Sequence, residues 1–233
     1  MSTTFINNNF IYTIKNANQV IFGDIPNFKV CGNPVVDTSK IGADVKIPSL
    51  VSYNGNEYEI NTVIANAFCL KELEIKTLTI PTTVETFDVR AFCHMLSLEE
   101  VIFEKRSRLK NIRAETFLNC PKLKKIILPP SVNSMEYGVL GLFGELNEIH
   151  YCGSTVFDVQ NLIYPNEGYD INQLKVFVVT RLYKGKFFGN VSVTHTQKCI
   201  SDQSIKGIPT FNVTERNDYI MIFIFISLST YSE

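Results

Sequence analysis

A pattern of apolar residues recurs about every 24 positions along residues 60–151, and it constrains the fold more than any other feature of the chain. Four successive units hold Phe68, Phe92, Phe117 and Leu140 at the same place, at steps of 24, 25 and 23 residues. A repeat of this length predicts a solenoid, because each unit is one coil that buries its apolar face only by stacking on its neighbours. The six apolar positions of the four units are Ile60, Val63, Phe68, Ile75, Leu78 and Ile80, then Val84, Phe87, Phe92, Leu98, Val101 and Phe103, then Leu109, Ile112, Phe117, Leu123, Ile126 and Leu128, then Val132, Met135, Leu140, Leu146, Ile149 and Tyr151.

Each unit ends in a segment that alternates apolar and polar residues as a β-strand does. Residues 123–128 illustrate the pattern, with Leu123, Ile126 and Leu128 directed inward. Stacked coils pair such strands in parallel about 4.8 Å apart, and the rest of each unit supplies the crossover that parallel pairing needs. The crossovers are too short for a stable helix. We therefore predict a mostly β coil with short helical or 3-10 turns, right-handed as parallel crossovers generally are.

The flanking segments predict caps for the two ends of the coil, which would otherwise expose apolar faces. Residues 10–14 and 20–22 alternate as the two strands of a hairpin, and Asn54-Gly55 marks a second tight turn. Residues 174–179 predict one more strand after the repeats. The predicted organisation is a hairpin cap with an irregular first coil over residues 1–44, the repeat array over 45–153, a C-terminal β cap over 154–195 and a polar tail over 196–233.

The tail contains an apolar run at residues 219–228, about half the length that a membrane-spanning helix requires. We predict a strand or a short core segment there, and no stable membrane insertion. The run also has the composition of an aggregation-prone tail or of the remnant of a membrane anchor. The first ten residues have neither a basic segment nor a long apolar segment, so no conventional signal peptide is expected.

Charge and cysteine spacing argue against several classes of function. A net charge of −1 does not favour a general electrostatic grip on nucleic acid or on anionic lipid, because both require clustered Lys and Arg. No two cysteines form a Cys-x-x-Cys pair, so we expect no zinc site of the usual spacing. Free cysteines are usually buried, so we expect buried or half-buried thiols, with a Cys69–Cys93 disulfide between adjacent coils as the less favoured alternative. The six cysteines are Cys31, Cys69, Cys93, Cys120, Cys152 and Cys199.

The three histidines do not indicate catalysis. His94 and His150 have no Ser, Cys or carboxylate at the spacing of a catalytic motif, His195 lies near the tail, and no glycine-rich phosphate loop occurs. We therefore expect no catalytic residue, no metal ligand and no cofactor, and a protein that is not an enzyme. Asn190 and Asn212 begin N-glycosylation sequons, which have meaning only in a secretory pathway.

Six stretches of the chain together resemble the BspA-like leucine-rich-repeat family, over roughly residues 10–195. They are Ile-Pro-Ser (47–49), Tyr-Asn-Gly-Asn-Glu-Tyr-Glu-Ile (53–60), Val-Ile-Ala-Asn-Ala-Phe (63–68), Leu-Thr-Ile-Pro-Thr-Thr-Val (78–84), Phe-Leu-Asn-Cys-Pro-Lys-Leu-Lys-Lys-Ile (117–126) and Ile-His-Tyr-Cys-Gly (149–153). The resemblance implies a surface or secreted protein of the adhesin or antigen type, which binds host proteins or other cells. Because no conventional signal peptide is expected, a cytoplasmic location stays open beside the surface location.

The outward residues of the predicted strands would form the concave face of the coil, where solenoids usually bind. Basic and acidic strands alternate there, and Ile102 and Ile127 provide small apolar anchors suited to a protein partner. The alternative is a solvated face whose alternating charges only stabilise the stacking of the coils. The predicted contact residues are Lys76, Thr77, Thr79, Glu99, Glu100, Ile102, Lys124, Lys125, Ile127, Asn147, Glu148 and His150.

The expected function is therefore non-catalytic binding of a protein partner on a host or another cell. An intracellular protein-interaction scaffold is the alternative. Neither the adhesion hypothesis nor the scaffold hypothesis predicts binding of nucleic acid.

Overall fold

Each repeat unit forms one coil that contributes a strand to each of two sheets. The computed structural model describes residues 4–8, 10–23, 40–68, 74–179 and 181–199. A 3-10 helix spans Ile171–Gln173, capped by Asp170. The strands are β1 (Thr4–Asn7), β2 (Phe10–Asn16), β3 (Gln19–Phe22), β4 (Asp44–Lys46), β5 (Leu50–Tyr53), β6 (Asn56–Val63), β7 (Thr77–Ile80), β8 (Thr86–Phe87), β9 (Glu100–Phe103), β10 (Asn111–Ile112), β11 (Lys125–Leu128), β12 (Ser134–Met135), β13 (Leu140–Gly141), β14 (Glu148–Tyr151), β15 (Ile163–Tyr164), β16 (Lys175–Val179), β17 (Phe187–Phe188) and β18 (Val191–Thr196).

The strands that end the repeat units form what we call the front sheet. Its order is β17-β18-β16-β14-β11-β9-β7-β4, and all neighbours from β4 to β18 run parallel. Equivalent residues of neighbouring coils are register partners, as Ile126 is with Ile149. Pro81 and Pro129 directly follow β7 and β11, where the missing N–H does not interrupt the ladder. The predicted parallel strands are confirmed, and so is the additional strand at residues 174–179, which is β16.

A second sheet, which we call the back sheet, is antiparallel among its N-terminal strands and parallel from β3 to β12, and its strands β8, β10 and β12 lie in the segments that the sequence assigned to the crossovers. Its order is β1-β2-β3-β6-β8-β10-β12, with β5 paired to β6. The strands β8, β10 and β12 have two residues each, and backbone bonds such as Glu85 N–H to Asn61 C=O extend their pairing. A strand of two residues is too short to show alternation, so the sequence pattern could not reveal this sheet.

An aromatic column joins the coils through the core. The ring of Phe68 stacks on Phe22 and on Phe92, and the ring of Phe92 stacks on Phe117, with centroids 5.4, 5.5 and 5.4 Å apart and interplanar angles of 15°, 29° and 16°. Of the repeated apolar positions, all but Phe103 are buried. The predicted stacking of equivalent side chains is therefore confirmed.

A corner of left-handed backbone recurs two residues before the core residue of each coil. It is occupied by Asn66, Arg90, Glu115, Gly138 and Asn161, with φ of 57°, 57°, 56°, 64° and 53°. The N–H groups of the first four donate to a carbonyl of the next coil at 2.8–3.1 Å. Isolated i to i+3 hydrogen bonds close the turns around this corner, so the crossovers contain the short turns that the sequence predicted.

The predicted hairpin lies in the N-terminal cap, and the predicted tight turn at Asn54-Gly55 closes a second hairpin. Strands β2 and β3 pair antiparallel, and β3 then joins β6 in parallel as the next strand of the back sheet. Strands β5 and β6 pair antiparallel across Asn54 and Gly55, whose φ values of 49° and 77° fit a tight turn with two left-handed residues. The division of the chain at residues 44, 153 and 195 stays a prediction.

The cysteines do not all behave as the sequence suggested. Cys93 and Cys120 are free and buried, as expected, so the alternative Cys69–Cys93 bond does not form. Cys152 and Cys199 form a disulfide with a Cα–Cα distance of 5.6 Å, and the expectation of free thiols is wrong for this pair. The sequence does not reveal that they are close, because they are 47 residues apart and the strands β15 to β18 lie between them.

Several predictions fall outside the residues that the structure describes. They concern Cys31, Cys69, the sequon at Asn212 and the apolar run at residues 219–228.

Candidate partner-binding face

The predicted contact residues all lie on the outer side of the front sheet, in three columns that cross the strands. The first column precedes the strands, the second begins them, and the third follows two residues later. The columns are Lys76, Glu99, Lys124 and Asn147; then Thr77, Glu100, Lys125 and Glu148; then Thr79, Ile102, Ile127 and His150. The register thus brings the predicted residues together, and whether they bind a partner stays a prediction.

His150 is the exception to their exposure. Its side chain is only 3% exposed, its ring stacks on Phe177 with centroids 4.7 Å apart, and its Nε2 lies 2.9 Å from a Glu148 carboxylate oxygen. The expectation of an exposed contact here is wrong, because β14 is not the last strand of the sheet. Strand β16 pairs with it, and Phe177 is the register partner that covers the imidazole.

The sheet extends the columns beyond the predicted residues at both ends. At one end β4 adds Asp44 and Lys46, which are partners of Thr77 and Thr79. At the other end β16 adds Lys175 and Phe177. The alternation at residues 174–179 could have identified the second pair, whereas β4 has only three residues and gives no such signal.

An apolar stripe runs along the third column. Ile102 is 40% exposed, and Ile127 and Phe177 are half-buried on β11 and β16. Side chains of this kind can lose the rest of their exposed surface when a partner covers them, which is the usual source of affinity at a protein interface.

The charges beside the stripe are only partly used within the chain. Lys125 Nζ lies 3.1 Å from Glu148, and Lys124 Nζ lies 3.6 Å from Glu145. The hydrogen bonds from His150 and Lys125 hold the pKa of Glu148 below its usual value. Glu99 and Glu100 form no ion pair with the residues that the structure describes.

Charges at the back sheet are arranged differently, because they pair from coil to coil. Arg113 contacts Asp88 of one neighbouring coil at 2.9 Å and Glu136 of the other at 3.2 Å, and Lys110 contacts Glu85 at 3.1 Å. Pairs of this kind stabilise the stacking modestly and leave little unsatisfied charge. The front sheet therefore offers an apolar stripe beside unpaired charge, whereas the charges of the repeat coils in the back sheet are largely paired with one another.

The remaining histidines and thiols have structural surroundings. The side-chain amide nitrogen of Asn119 lies 2.8 Å from His94 Nδ1, joining two coils, and His195 is exposed on β18. Burial raises the pKa of Cys93 to about 11 and that of Cys120 to about 12, so neither thiol supplies a reactive thiolate at neutral pH. Within the described ranges, no group of three or more His, Cys, Asp and Glu side chains is placed to hold a metal ion.

Asn190, which begins the sequon within the described residues, has a structural role. The side-chain amide of Asn190 donates to the Ile163 carbonyl at 2.7 Å and accepts from the Ile163 N–H at 3.1 Å, so a glycan there would disturb a structural contact.

In the part of the chain that is described, no helix combines the length and the apolar character needed to cross a membrane.

Comparison with solved structures finds similar chains among bacterial leucine-rich-repeat proteins. A leucine-rich-repeat protein from Bacteroides capillosus is 22% identical, with 63% of this chain and 96% of that chain covered and a TM-score of 0.49. A leucine-rich cell surface protein from Faecalibacterium prausnitzii is 15% identical, with 76% and 54% covered and a TM-score of 0.45. The pneumococcal vaccine antigen PcpA is 17% identical, with 69% and 50% covered and a TM-score of 0.38. The present chain thus spans about half the length of the last two.

Comparison with curated proteins gives no match. The family model of the BspA-type leucine-rich-repeat region matches residues 61–194 in six copies. That range is more than half of the 233-residue chain and contains the coils described above. The protein therefore belongs to the BspA-type leucine-rich-repeat family.

Proposed function

We propose that the protein is a non-catalytic binding module of the surface adhesion type, which holds a protein on another cell against its front sheet. The observation that carries the proposal is the stripe of Ile102, Ile127 and Phe177 beside charges that the fold leaves unpaired. An apolar strip with a polar border is the usual composition of a protein interface. The back sheet also exposes apolar side chains, Ile6 on β1 and Leu50 on β5, but the charges of its repeat coils are paired between coils.

The disulfide favours a surface location over the alternative of an intracellular scaffold. Cys152 and Cys199 are bonded, and such bonds persist mainly in oxidising compartments outside the cytoplasm. When intact cells that produce the protein are treated with a membrane-impermeant amine reagent, the protein should therefore become labelled. Labelling that appears only after lysis would contradict the surface location.

Binding to cells tests the proposal directly. Purified fluorescent protein is titrated onto intact source cells and animal epithelial cells, with unlabelled protein as competitor and protease-treated cells as a second arm. We expect saturable binding that protease treatment of the cells removes. The variant Ile102→Lys/Ile127→Lys should weaken that binding at least about tenfold, because it would bury two charges in the apolar stripe.

The matched control places the same charges on the back sheet. Asn133 and Ser134 are exposed at β12, so Asn133→Lys/Ser134→Lys changes the net charge equally on the opposite side of the coil. It should bind as the unmodified protein does. Equal losses in both variants, or saturable binding that survives in the stripe variant, would contradict the front sheet as the binding surface.

A further inference from the structure

The charges of the front sheet follow an order that reverses sign about the line between β9 and β11. Of the seven parallel strands, the six from β4 to β16 carry these charges, in the order β4, β7, β9, β11, β14 and β16, and that line is the midpoint of the six. Strand β18 continues the sheet beyond β16 and places Thr194, which is uncharged, beside Phe177. On one side of the midpoint β9 presents two acidic residues, and on the other side β11 presents two basic residues. Moving outward, a base precedes β7 and an acid begins β14, and then β4 begins with an acid and β16 with a base; the second charge of β4, Lys46, is paired within the chain with Glu104 at 2.7 Å. The residues concerned are Asp44, Lys76, Glu99 and Glu100 on one side, and Lys124, Lys125, Glu148 and Lys175 on the other.

From this order we propose that the protein held by the front sheet is a second copy of the same chain; this rests on the proposed function of that face. The two copies would be related by a twofold axis that lies between the faces, parallel to the strands and midway between β9 and β11. Such an axis reverses the order of the strands and keeps their direction. It therefore places β9 against β11, β7 against β14 and β4 against β16 of the other copy.

The central strand pair made by this axis is complementary at each outward position. Glu99 and Glu100 face Lys124 and Lys125, and the mirrored contact repeats the match because the interface is isologous. The exposed Ile102 faces Ile127, so the apolar stripe continues across the axis.

The outer strands agree with the same axis. Asp44 of β4 lies opposite Lys175 of β16, and Lys76, just before β7, lies opposite Asn147 and one position from Glu148 of β14. Lys46 of β4 lies opposite Phe177 and adds no charge pair. An axis perpendicular to the strands would instead place the acidic strand β9 on itself and the basic strand β11 on itself, and like charges opposite each other are destabilising. The charge order thus selects one of the two face-to-face arrangements.

Stabilisation of the single chain does not account for the charges at the centre. If alternation served only the stacking of coils, Glu99 and Glu100 should pair with a neighbouring strand, as Arg113 pairs at the back sheet. Neither has an ion-pair partner in the described part of the molecule, whereas Lys124 and Lys125 pair with Glu145 and Glu148. A net charge of −1 also leaves little general repulsion between copies.

The size of the face indicates a weak interface. The six strands that face each other, about 4.8 Å apart and about 16 Å long, give roughly 450 Å² on each copy, which is at the low end for specific association. An interaction of this size suits many copies displayed together on two apposed surfaces, where multivalency compensates for low affinity.

Charge exchange provides the test, measured by sedimentation equilibrium of the purified full chain up to about 0.5 mM, since interfaces of this size are weak. The unmodified protein should show a monomer–dimer equilibrium that weakens with added salt. The acidic-to-basic variant Glu99→Lys/Glu100→Lys and the basic-to-acidic variant Lys124→Glu/Lys125→Glu should each lose at least about tenfold in dimer affinity, because like charges then meet. The quadruple variant that carries all four changes should dimerise again.

Mixing identifies the axis. The quadruple variant should not form mixed dimers with the unmodified protein, because acidic β9 would meet an acidic β11, and energy transfer between dyes on the two N-termini reports this. A monomeric unmodified chain over the whole concentration range, or mixed dimers as stable as the pure ones, would overturn the inference. Circular dichroism melts of each variant verify that it is folded.

The experiments test the adhesion function and the self-association independently. A chain that binds cells saturably through the front sheet but stays monomeric contradicts the second copy alone. A chain that dimerises as described but binds no cells contradicts the adhesion function alone.

Discussion

Left-handed backbone positions recur in register through the coils, and the residues that fill them differ in how well they tolerate that conformation. Two residues after the core residue, successive coils hold His94, Asn119 and Leu142, with φ of 60°, 57° and 52°. Asparagine adopts this conformation readily, whereas a leucine in it carries roughly 1–2 kcal/mol of steric cost. The coil keeps the geometry because the backbone bonds require it: the Leu142 N–H donates to the Tyr164 carbonyl at 2.8 Å.

Replacing Leu142 with asparagine should therefore stabilise the protein. The side chain is 37% exposed, so little core is lost, and the change matches Asn119 of the preceding coil. We expect the free energy of unfolding to rise by about 0.5–1 kcal/mol, measured by urea denaturation. Leu142→Ala is the control, since alanine keeps the steric cost; if it stabilised the protein as much as asparagine does, loss of the exposed leucine and not the backbone would be the cause.

At the scale of elements, the sequence predicted most of the strands whose pattern extends over at least four residues. The front strands β7, β9, β11, β14 and β16, the first hairpin and the tight turn at Asn54-Gly55 were predicted, whereas β1 and β18 were not. The two-residue strands of the back sheet were missed, as were corners at Arg90 and Glu115, whose residue types show no preference for left-handed backbone. On the candidate face, the outward columns follow from alternation alone. The burial of His150 does not, because it depends on which strand comes next in space.

The aromatic column makes a quantitative prediction about the coupling of the elements. Phe92 is fully buried between Phe68 and Phe117, and its ring also meets Phe87 edge-on with centroids 4.9 Å apart. Phe92→Ala should lower the free energy of unfolding by about 3–5 kcal/mol, as truncations of core aromatics do. Because each coil is stable only on its neighbours, the loss should spread and appear as a lower midpoint for the whole array in thermal melts.

The fourth unit supplies the matched control for that change. Leucine occupies the equivalent position there, at Leu140, and is buried. Phe92→Leu should therefore cost about half or less of the alanine variant, because the column tolerates this shape elsewhere. An unchanged melting curve for Phe92→Ala would contradict the placement of Phe92 in the column.

At the scale of the whole molecule, the described chain is a stack whose two ends are closed by different means. The N-terminal end is covered by hairpins that share the back sheet. Beyond the repeats, β16 and β18 continue the front sheet. The Cys152–Cys199 bond links the segment after β18 to the residue that directly follows β14. Terminal coils of a solenoid have a neighbour on one side only, so this end depends on the covalent bond more than the central coils do.

Opening that bond should loosen the C-terminal coils before the rest. A bond that closes a loop of 47 residues contributes about 2–4 kcal/mol, largely by restricting the unfolded chain. In Cys199→Ser, hydrogen exchange should accelerate most in β18 and β16, less in β14, and little in β7 and β9. Reduction of the unmodified protein should reproduce that gradient, which separates loss of the bond from any local effect of serine. An equal acceleration along every front strand would mean that the coils open as one cooperative unit, and the stack would then have no weaker end for the disulfide to protect.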